Sequence, residues 1–366
     1  MNDHGQLREA LHRCLSAGLT FAAFRRPDQP VEIWAQRTPD LEFIDGALML
    51  ELNEAFLIAP FDLSNERVPF IRSDVQLRFG ELGPDIDMLN NCVGAAGPAG
   101  AMPTSTEAAV FERAVAEATS AIASGTMQKV VLSRTLIVPL DGARLPDLYI
   151  QAMREQPDAF IALAHTPLHG TWIGASPEHL VFEEEDRVRV DALAGTLPIG
   201  TAPSEPHAWG EKERNEQVLV TESVLDTFLQ LEFKEVIARG PTVVNAGQVA
   251  HLRTFIHADL DDRMLGDLVL ALHPTPAVCG SPKAAAKSFI ASHESHDRAL
   301  YAGFWGPWSP DGFTELFVNI RCMRVFEHEA LLYVGAGIVA GSDPKAEWEE
   351  TDQKARTWLR SIAALK

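Results

Sequence analysis

The sequence has few cysteines, a deficit of basic residues and no long apolar run. Its four cysteines, Cys14, Cys92, Cys279 and Cys322, include no CxxC pair, which argues against a disulfide framework or zinc ribbon and predicts a reducing cytoplasm. Lys and Arg total 31 against 51 Asp and Glu, a formal charge of −20, so neither nucleic acid nor an anionic membrane is an expected partner. No apolar run approaches the ~18 residues of a membrane span, and the charged start lacks a signal-peptide core.

The remaining composition is that of an ordinary globular protein. The 366 residues are 46% apolar and 22% charged, enough for one large domain or two at ~100–200 residues each. The Gly/Pro-rich, uncharged stretch 94–106 predicts a joint between a first part, 1–104, and a larger part, 105–366, that pack into one globule. Thr104 and Glu107 have the spacing of a capping box, which predicts a helix start just before 108–123.

Strands and helices alternate along the second part. The predicted strands are 129–138, 160–165, 171–175, 180–183, 188–193, 248–258, 301–308, 314–325 and 330–339. The predicted helices are 146–155, 211–233, 265–272, 282–292 and a closing helix from Pro344. The helix 211–233 is expected to place Val218, Val224, Leu225, Phe228 and Leu229 on one side. Short turns between the strands predict a large antiparallel α/β sandwich rather than a parallel βαβ fold, and the first part shows only short alternating stretches at 41–50 and 56–61.

Two pairs of carboxylates at helical spacing are a candidate cation site. Glu213 and Glu216 lie three apart in EKERNE, and Glu347 and Glu350 lie three apart in EWEE, so each pair shares one face of a helix. Four carboxylates from two helices suit Mg²⁺, a hard cation that prefers oxygen ligands. A solvated helix face is the alternative for such pairs in an acidic protein, and spacing alone leaves it open.

The stretch 335–344, GAGIVAGSDP, is predicted to be an anion-binding turn before the last helix. Gly335, Gly337 and Gly341 are spaced one residue too long for the G-x-G-x-x-G dinucleotide fingerprint, so a nucleotide-dependent oxidoreductase is the distant alternative. Arg321, in FVNIRCMRV, is predicted to lie within a strand, where it either finds a partner or faces solvent.

Single residues elsewhere are weaker candidates. Lys129 opens an apolar strand and Glu178 begins another, at strand ends where catalytic and merely exposed groups both occur. Cys279 with His273 is a candidate nucleophile pair, but a packed thiol is the favoured interpretation. The sequence contains no GxSxG, GxxxxGK[ST] or HExxH, which removes the common hydrolase, phosphate-loop and zincin signatures.

Taken together, these segments resemble the chorismate-utilising enzymes, the family of isochorismate, salicylate, anthranilate and aminodeoxychorismate synthases. The matching stretches run in family order over about 105–366 and are KVVLSR (129–134), GASPEHLV (174–181), DALAGT (191–196), EKERNE (211–216), LHPTPAVCGSP (272–282), YAGFWGPW (301–308), VNIRC (318–322) and GAGIVAGSDPKAEWEETDQK (335–354). The resemblance implies one large sandwich of two antiparallel sheets with outer helices, and chorismate, a dicarboxylate, bound beside Mg²⁺.

The resemblance also implies which residues bind the metal and the substrate. The implied Mg²⁺ ligands are Glu216 and Glu350 directly, and Glu213 and Glu347 through water. The implied substrate contacts are Arg321, the backbone of Gly335 and Lys354 at the enolpyruvyl carboxylate, and Gly195, Thr196 and His273 along the ring. A local cation and a few placed donors would attract the dianion, which the protein's overall field does not.

Two positions distinguish the activities within this family. Water-using members carry a lysine where this chain has Lys129, anthranilate synthases have glutamine there, and aminodeoxychorismate synthases carry a nucleophilic lysine where this chain has Ala194. The resemblance therefore implies an isochorismate synthase, an isomerase whose product feeds menaquinone or siderophore synthesis. Lys129 would activate the water that attacks ring carbon 2, and Glu178 would protonate the departing 4-hydroxyl, which requires pKa values moved toward neutrality. A salicylate synthase shares both residues and stays open, and no obligatory glutamine amidotransferase subunit is expected.

Overall fold

The computed structural model describes residues 3–63, 65–80, 83–98, 104–184, 186–260, 265–309 and 313–365. Its helices are α1 Asp3–Ser16, α2 Ala108–Ala123, α3 Leu145–Glu155, α4 Glu211–Gln230, α5 Leu265–Leu272, α6 Lys283–His293 and α7 Pro344–Ala363. Its strands are β1 Phe21–Arg25, β2 Val31–Ala35, β3 Glu42–Asp45, β4 Ala55–Ala59, β5 Arg67–Arg72, β6 Val75–Phe79, β7 Lys129–Pro139, β8 Phe160–Thr166, β9 Gly170–Ser176, β10 His179–Glu184, β11 Arg187–Pro198, β12 Ile237–Ala246, β13 Val249–Asp259, β14 Gly280–Ser281, β15 Phe304–Trp308, β16 Glu315–Val318, β17 Cys322–Val325 and β18 Glu329–Ile338.

Within these described ranges the strands form two nine-stranded sheets. The first has the order β14-β7-β18-β17-β9-β8-β1-β2-β6, and the second has the order β12-β13-β11-β10-β16-β15-β4-β5-β3. Neighbouring strands pair antiparallel throughout, which confirms the predicted antiparallel sandwich. Strands from the first part of the chain extend both sheets at one end.

The two sheets meet face to face through a large apolar core. Phe160 of β8 in the first sheet stacks on Phe317 of β16 in the second, with ring centroids 4.0 Å apart and planes 5° apart. The far face of the first sheet is covered by α1 and α3, whose Leu11 and Leu148 are fully buried there. The second sheet is covered by α4, which packs on β11 and β13. None of the described helices is both long and apolar enough to span a membrane.

Two local predictions fail for geometric reasons. The predicted capping box at the start of α2 is wrong: Glu107 is the N-cap residue and its side chain makes no capping bond. The carbonyl of Thr104 instead accepts from the hydroxyl of Thr135 at 2.9 Å, because this segment runs alongside β7. The α2 bounds themselves agree with the prediction.

The predicted apolar face of α4 is also wrong in part. Val224 and Phe228 are buried as expected, but Val218 and Leu229 are 51% and 66% exposed. At about 100° per residue, the buried face is centred on Val224 and Phe228, and Val218 and Leu229 project well to one side of it. Exposure of these two side chains therefore follows from the true helical phase.

Candidate active site

Two of the places where the chain passes from one sheet to the other are adjacent, and each of these two crossings carries a candidate site residue. Glu178 lies between β9 and β10, and Arg321 lies between β16 and β17. The crossings are tied together, since the Ser176 hydroxyl donates to the Val318 carbonyl at 2.6 Å and the Val318 N–H donates to the Glu178 carbonyl at 3.0 Å. The predicted continuous strand 314–325 is therefore wrong. Arg321 has a φ of 48°, a left-handed conformation that ends a strand.

A pocket with about 740 Å³ of open space lies beside the two crossings. Leu193, Tyr301, Tyr333 and Trp358 contribute apolar wall. The polar and charged side chains that line it are Glu178, Thr196, Glu216, His251, Arg321 and Lys354, with Gly335 and Gly337 on the opposing strand β18. A second pocket of about 650 Å³ shares Thr196 and is lined by Lys212, Glu213 and Glu350. Most of the expected site residues are thus brought together around these two pockets.

Glu178 is placed to act as an acid. Its side chain is buried, and no described residue hydrogen-bonds to its Oε1. Burial, and then the negative charge of Asp191, raise the pKa of Glu178 well above its ordinary value, while Lys129 and Lys354 oppose that rise. A carboxyl group kept protonated near neutral pH can donate a proton to a bound molecule.

Three lysines neutralise three of the four candidate metal-binding glutamates. The ion pairs are Lys129 Nζ to Glu216 Oε1 at 2.9 Å, Lys212 Nζ to Glu347 Oε1 at 2.5 Å and Lys354 Nζ to Glu350 Oε1 at 2.8 Å. Burial opposes ionisation of Glu216, but the charge and hydrogen bond of Lys129, together with the charges of Lys354 and Lys212, outweigh it and lower the pKa of Glu216. Lys129 itself is fully buried at the start of β7, and the backbone N–H of Gly195 donates to the second oxygen of Glu216 at 3.3 Å.

The donor chemistry of these glutamates fits a hard cation. The Oε2 atom of buried Glu347 has no hydrogen-bond partner among the described residues, and burial followed by repulsion from Glu350 raises its pKa. A cation between the two helices would relieve that repulsion, and carboxylate oxygens are the ligands that Mg²⁺ prefers. In the described part of the chain, however, no three His, Cys, Asp or Glu side chains are gathered at metal-binding distance.

Arg321 offers a buried guanidinium for an anionic group. It donates to the Ala246 carbonyl at 2.8 Å and to His251 Nε2 at 2.9 Å. Burial lowers the pKa of Arg321 to about 10, which leaves it charged at neutral pH. The Trp358 indole fixes the backbone by donating to the Arg321 carbonyl at 2.6 Å. The remaining N–H groups of the Arg321 guanidinium can bind a carboxylate. Lys354, which donates to the Gly335 carbonyl at 2.8 Å, lines the same pocket.

The histidine on the pocket wall is His251, which the sequence analysis missed. Burial and the charges of Arg321 and Lys354 hold the pKa of His251 well below its usual value. The neutral ring is assigned an Nδ1–H that donates to the Gly195 carbonyl at 3.2 Å, so that Nε2 accepts from Arg321. The only feature of the sequence that could have pointed to His251 is a polar residue at an inward-facing position of an apolar strand.

The expected ring contact His273 lines neither pocket. Its ring packs edge-on against Phe304 with centroids 5.1 Å apart, and Lys283 Nζ donates to its carbonyl at 2.9 Å. Burial, with the charges of Lys283 and Lys287, lowers the pKa of His273 to about 3. Cys279 is buried and burial raises its pKa to about 11, as expected for a packed thiol rather than a nucleophile.

The predicted anion-binding turn at 335–344 is not formed by its glycines. Gly335 and Gly337 lie inside β18, and only Gly341 lies in the turn. The start of α7 is capped by Asp343, whose carboxylate accepts from the Lys345 and Ala346 N–H groups at 3.1 and 2.9 Å. The donors of this helix end are therefore already satisfied by a carboxylate of the chain itself.

Comparison with known proteins identifies the family of the chain. A family model described as chorismate binding enzyme matches residues 96–363. The isochorismate synthase DhbC of Bacillus subtilis is 32% identical over 268 residues, covering 69% of this chain and 67% of that protein. Anthranilate synthase component 1 of Streptomyces coelicolor is 35% identical over 268 residues, covering 70% of this chain and 52% of that protein.

The chain belongs to the chorismate-binding enzyme family. The fold similarity reaches beyond the matched region: the solved structure of DhbC from Bacillus anthracis has a TM-score of 0.80 at 24% identity and covers 98% of this chain and 99% of that chain. Residues before the matched region therefore share the fold of a solved structure, although they carried no recognisable motif.

Proposed function

We propose that the chain is an isochorismate synthase that isomerises chorismate to isochorismate. The observation that carries the proposal is that buried Glu178 lines one pocket with Arg321 and Glu216, and that buried Lys129 pairs with Glu216 at 2.9 Å. The similarity to DhbC of Bacillus subtilis supports it.

Substrate binding follows from the charges of the pocket. Arg321, Lys354 and the backbone at Gly335 would hold the enolpyruvyl carboxylate, and Gly195 and Thr196 would flank the ring. Mg²⁺ would be held directly by Glu216 and Glu350 and through water by Glu213 and Glu347. When bound, the ion supplies positive charge to the ring carboxylate.

The proton transfers use two groups of opposite role. As the general base, Lys129 takes a proton from the water that attacks carbon 2, and Glu178 gives a proton to the oxygen that leaves carbon 4 as the ring double bond shifts. One water is gained and one is lost, so the product is an isomer. Afterwards Lys129 carries the extra proton and Glu178 is ionised, and exchange with solvent resets both groups.

The choice of water as nucleophile is supported by Ala194, which lines the pocket without an amine. The proposal therefore includes no obligatory glutamine amidotransferase. It places the product in menaquinone or siderophore synthesis, in a reducing cytoplasm suited to the four free cysteines.

The decisive experiment is incubation with chorismate and Mg²⁺ followed by chromatography. Isochorismate is expected, whereas salicylate with pyruvate would identify a salicylate synthase instead. Lys129→Ala and Glu178→Gln should each lower turnover by ~10²–10⁴-fold, with chorismate binding retained. The matched control is Lys287→Ala, which removes an exposed lysine paired with Asp62. A wild-type rate in either active-site variant would contradict the assigned roles.

A further inference from the structure

A buried group of charged side chains adjoins Glu178 and has no part in the mechanism above. His179, the next residue, places Nδ1 3.1 Å from Asp191 Oδ2 and Nε2 2.8 Å from Glu315 Oε1. The backbone N–H of His179 donates to the same Asp191 oxygen at 3.3 Å. Asp191 lies on β11 and Glu315 on β16, the two strands that flank β10. The three side chains therefore join three strands at the point where the chain crosses between the sheets.

The imidazole of His179 lies between two carboxylates. Both ring nitrogens face carboxylates, which accept but do not donate when ionised. Burial opposes a charge on the ring, yet Asp191 and Glu315 outweigh it and raise the pKa of His179. Burial likewise opposes ionisation of Asp191, but His179 and then Arg189 and Arg253 lower its pKa. The two carboxylates therefore favour the protonated ring, in which both nitrogens donate.

The three side chains hold the backbone at the start of β10, where the regular hydrogen bonds of a strand are missing. The register of β10 shifts between His179 and Val181, so the start of the strand lacks an even hydrogen-bond ladder. Successive side chains of an extended chain point to opposite sides. Fixing the ring of His179 therefore fixes the direction in which the Glu178 carboxyl points, and a 1 Å misplacement of a reacting group can cost about 10²-fold in rate.

The charge of this group also bears on Glu178. After burial itself, Asp191 is the group that most favours the protonated carboxyl of Glu178. The other charged or titratable groups that face Glu178 or share its pocket are Lys129 on β7, Lys354 on α7, Glu216 on α4, His251 on β13, Tyr333 on β18, Tyr301, and Arg321 at the second crossing. The basic groups that face the carboxylates of Asp191 and Glu315 are Arg189, Arg253 and Arg26.

We infer that His179, Asp191 and Glu315 form a positioning unit for proton donation by Glu178: the imidazole bridged between two carboxylates sets the direction of the Glu178 carboxyl group, and Asp191 places a negative charge beside the backbone that carries it. The inference rests on the acid role proposed for Glu178. It assigns two separable tasks: His179 orients the Glu178 carboxyl group, and Asp191 supplies negative charge near it. Each task can be tested with its own variant.

Asp191→Asn removes the charge and retains an oxygen that can accept from His179. The Glu178 carboxyl is followed by infrared difference spectroscopy across pH, with Glu178→Gln identifying its band. We expect Glu178 to ionise at lower pH in Asp191→Asn, because a nearby negative charge is lost. The pH–rate limb that disappears in Glu178→Gln should move in the same direction. An unmoved Glu178 band in folded Asp191→Asn would overturn the inference.

His179→Gln keeps the Asp191 charge but cannot bridge two carboxylates. Here Glu178 should not ionise at lower pH, turnover should fall ~10-fold or more, and chorismate should still bind, as measured by fluorescence titration. The matched control is His293→Gln, which breaks a partly exposed histidine–carboxylate pair with Glu117 at 3.0 Å and should leave rate and band unchanged. A His179→Gln rate equal to wild type would contradict the orienting role of His179.

If wild type forms no isochorismate, the proposed function fails, and the infrared titration still decides whether Asp191 controls the ionisation of Glu178.

Discussion

A single methyl group added at Gly337 should disable the site without unfolding the protein. A Cβ built at this position in β18 lies 2.0 Å from Glu216 Oε1 and 3.2 Å from Lys129 Cε. Real Cβ atoms essentially never lie within 3.0 Å of such an atom, so the Glu216 carboxylate, at the end of a flexible side chain, must move by about 1 Å, which is enough to cost ~10²-fold in rate. Gly337→Ala should therefore lower isochorismate formation by about that factor and weaken Mg²⁺ binding, measured by chromatography and calorimetric titration.

The backbone at Gly337 gives no separate reason for a loss, because its φ is outside the left-handed region. Gly80→Ala is the matched control, since nothing lies within 4 Å of its Cβ. Glu216→Asp shortens the displaced side chain by one methylene, so in the double variant the two losses should combine to less than their product. A folded Gly337→Ala protein with wild-type turnover would refute the placement of Glu216 as a functional group.

Three further outcomes follow from the same charges. Glu350→Gln should remain folded but lose most activity and Mg²⁺ binding, and full turnover in excess chelator would contradict a metal requirement. Lys212→Met should bind Mg²⁺ more tightly in calorimetry, because an ammonium that competes for Glu347 is gone; equal or weaker affinity would count against this. Ammonium salts should give no aminated product, since Ala194 provides no amine and Lys129 favours water, and anthranilate or aminodeoxychorismate formed at a comparable rate would disprove that choice.

Periodicity predicted the fold best where one face of an element is buried. The bounds of α2 and α5 agree with the pattern because their apolar residues recur at helical spacing. In contrast, β1 is buried at every position and β12 is exposed at most, so neither shows the alternation that marks a strand. The crossing at Arg321 was missed because the sequence continues as an apolar run on both sides of it. Only the backbone conformation of Arg321 and the hydrogen bonds to the other crossing interrupt the strand there.

Motifs pointed to candidate site residues, whereas contacts between distant residues were not visible in the sequence. Lys129 and Glu178 were proposed through the family resemblance, and their roles stay predictions. His273 also belongs to a motif, yet it lines neither pocket, because a motif does not specify which way a ring points. His251 carries no motif, and the pairing of Lys212 with Glu347 joins residues 135 positions apart in sequence, a contact that only the folded chain displays.

The balance of acidic and basic side chains in the site has a thermodynamic consequence for the binding of the two proposed ligands, Mg²⁺ and chorismate. The formal charges cancel between Glu213, Glu216, Glu347 and Glu350 on one side and Lys129, Lys212, Lys354 and Arg321 on the other. A divalent cation alone or a dianion alone leaves two uncompensated charges in a partly buried cavity, which is costly. With the Mg²⁺ and chorismate proposed above, both ligands together would restore neutrality, so each would raise the affinity of the other by the same factor. The local charges of the site would then bind the pair without a positive overall field.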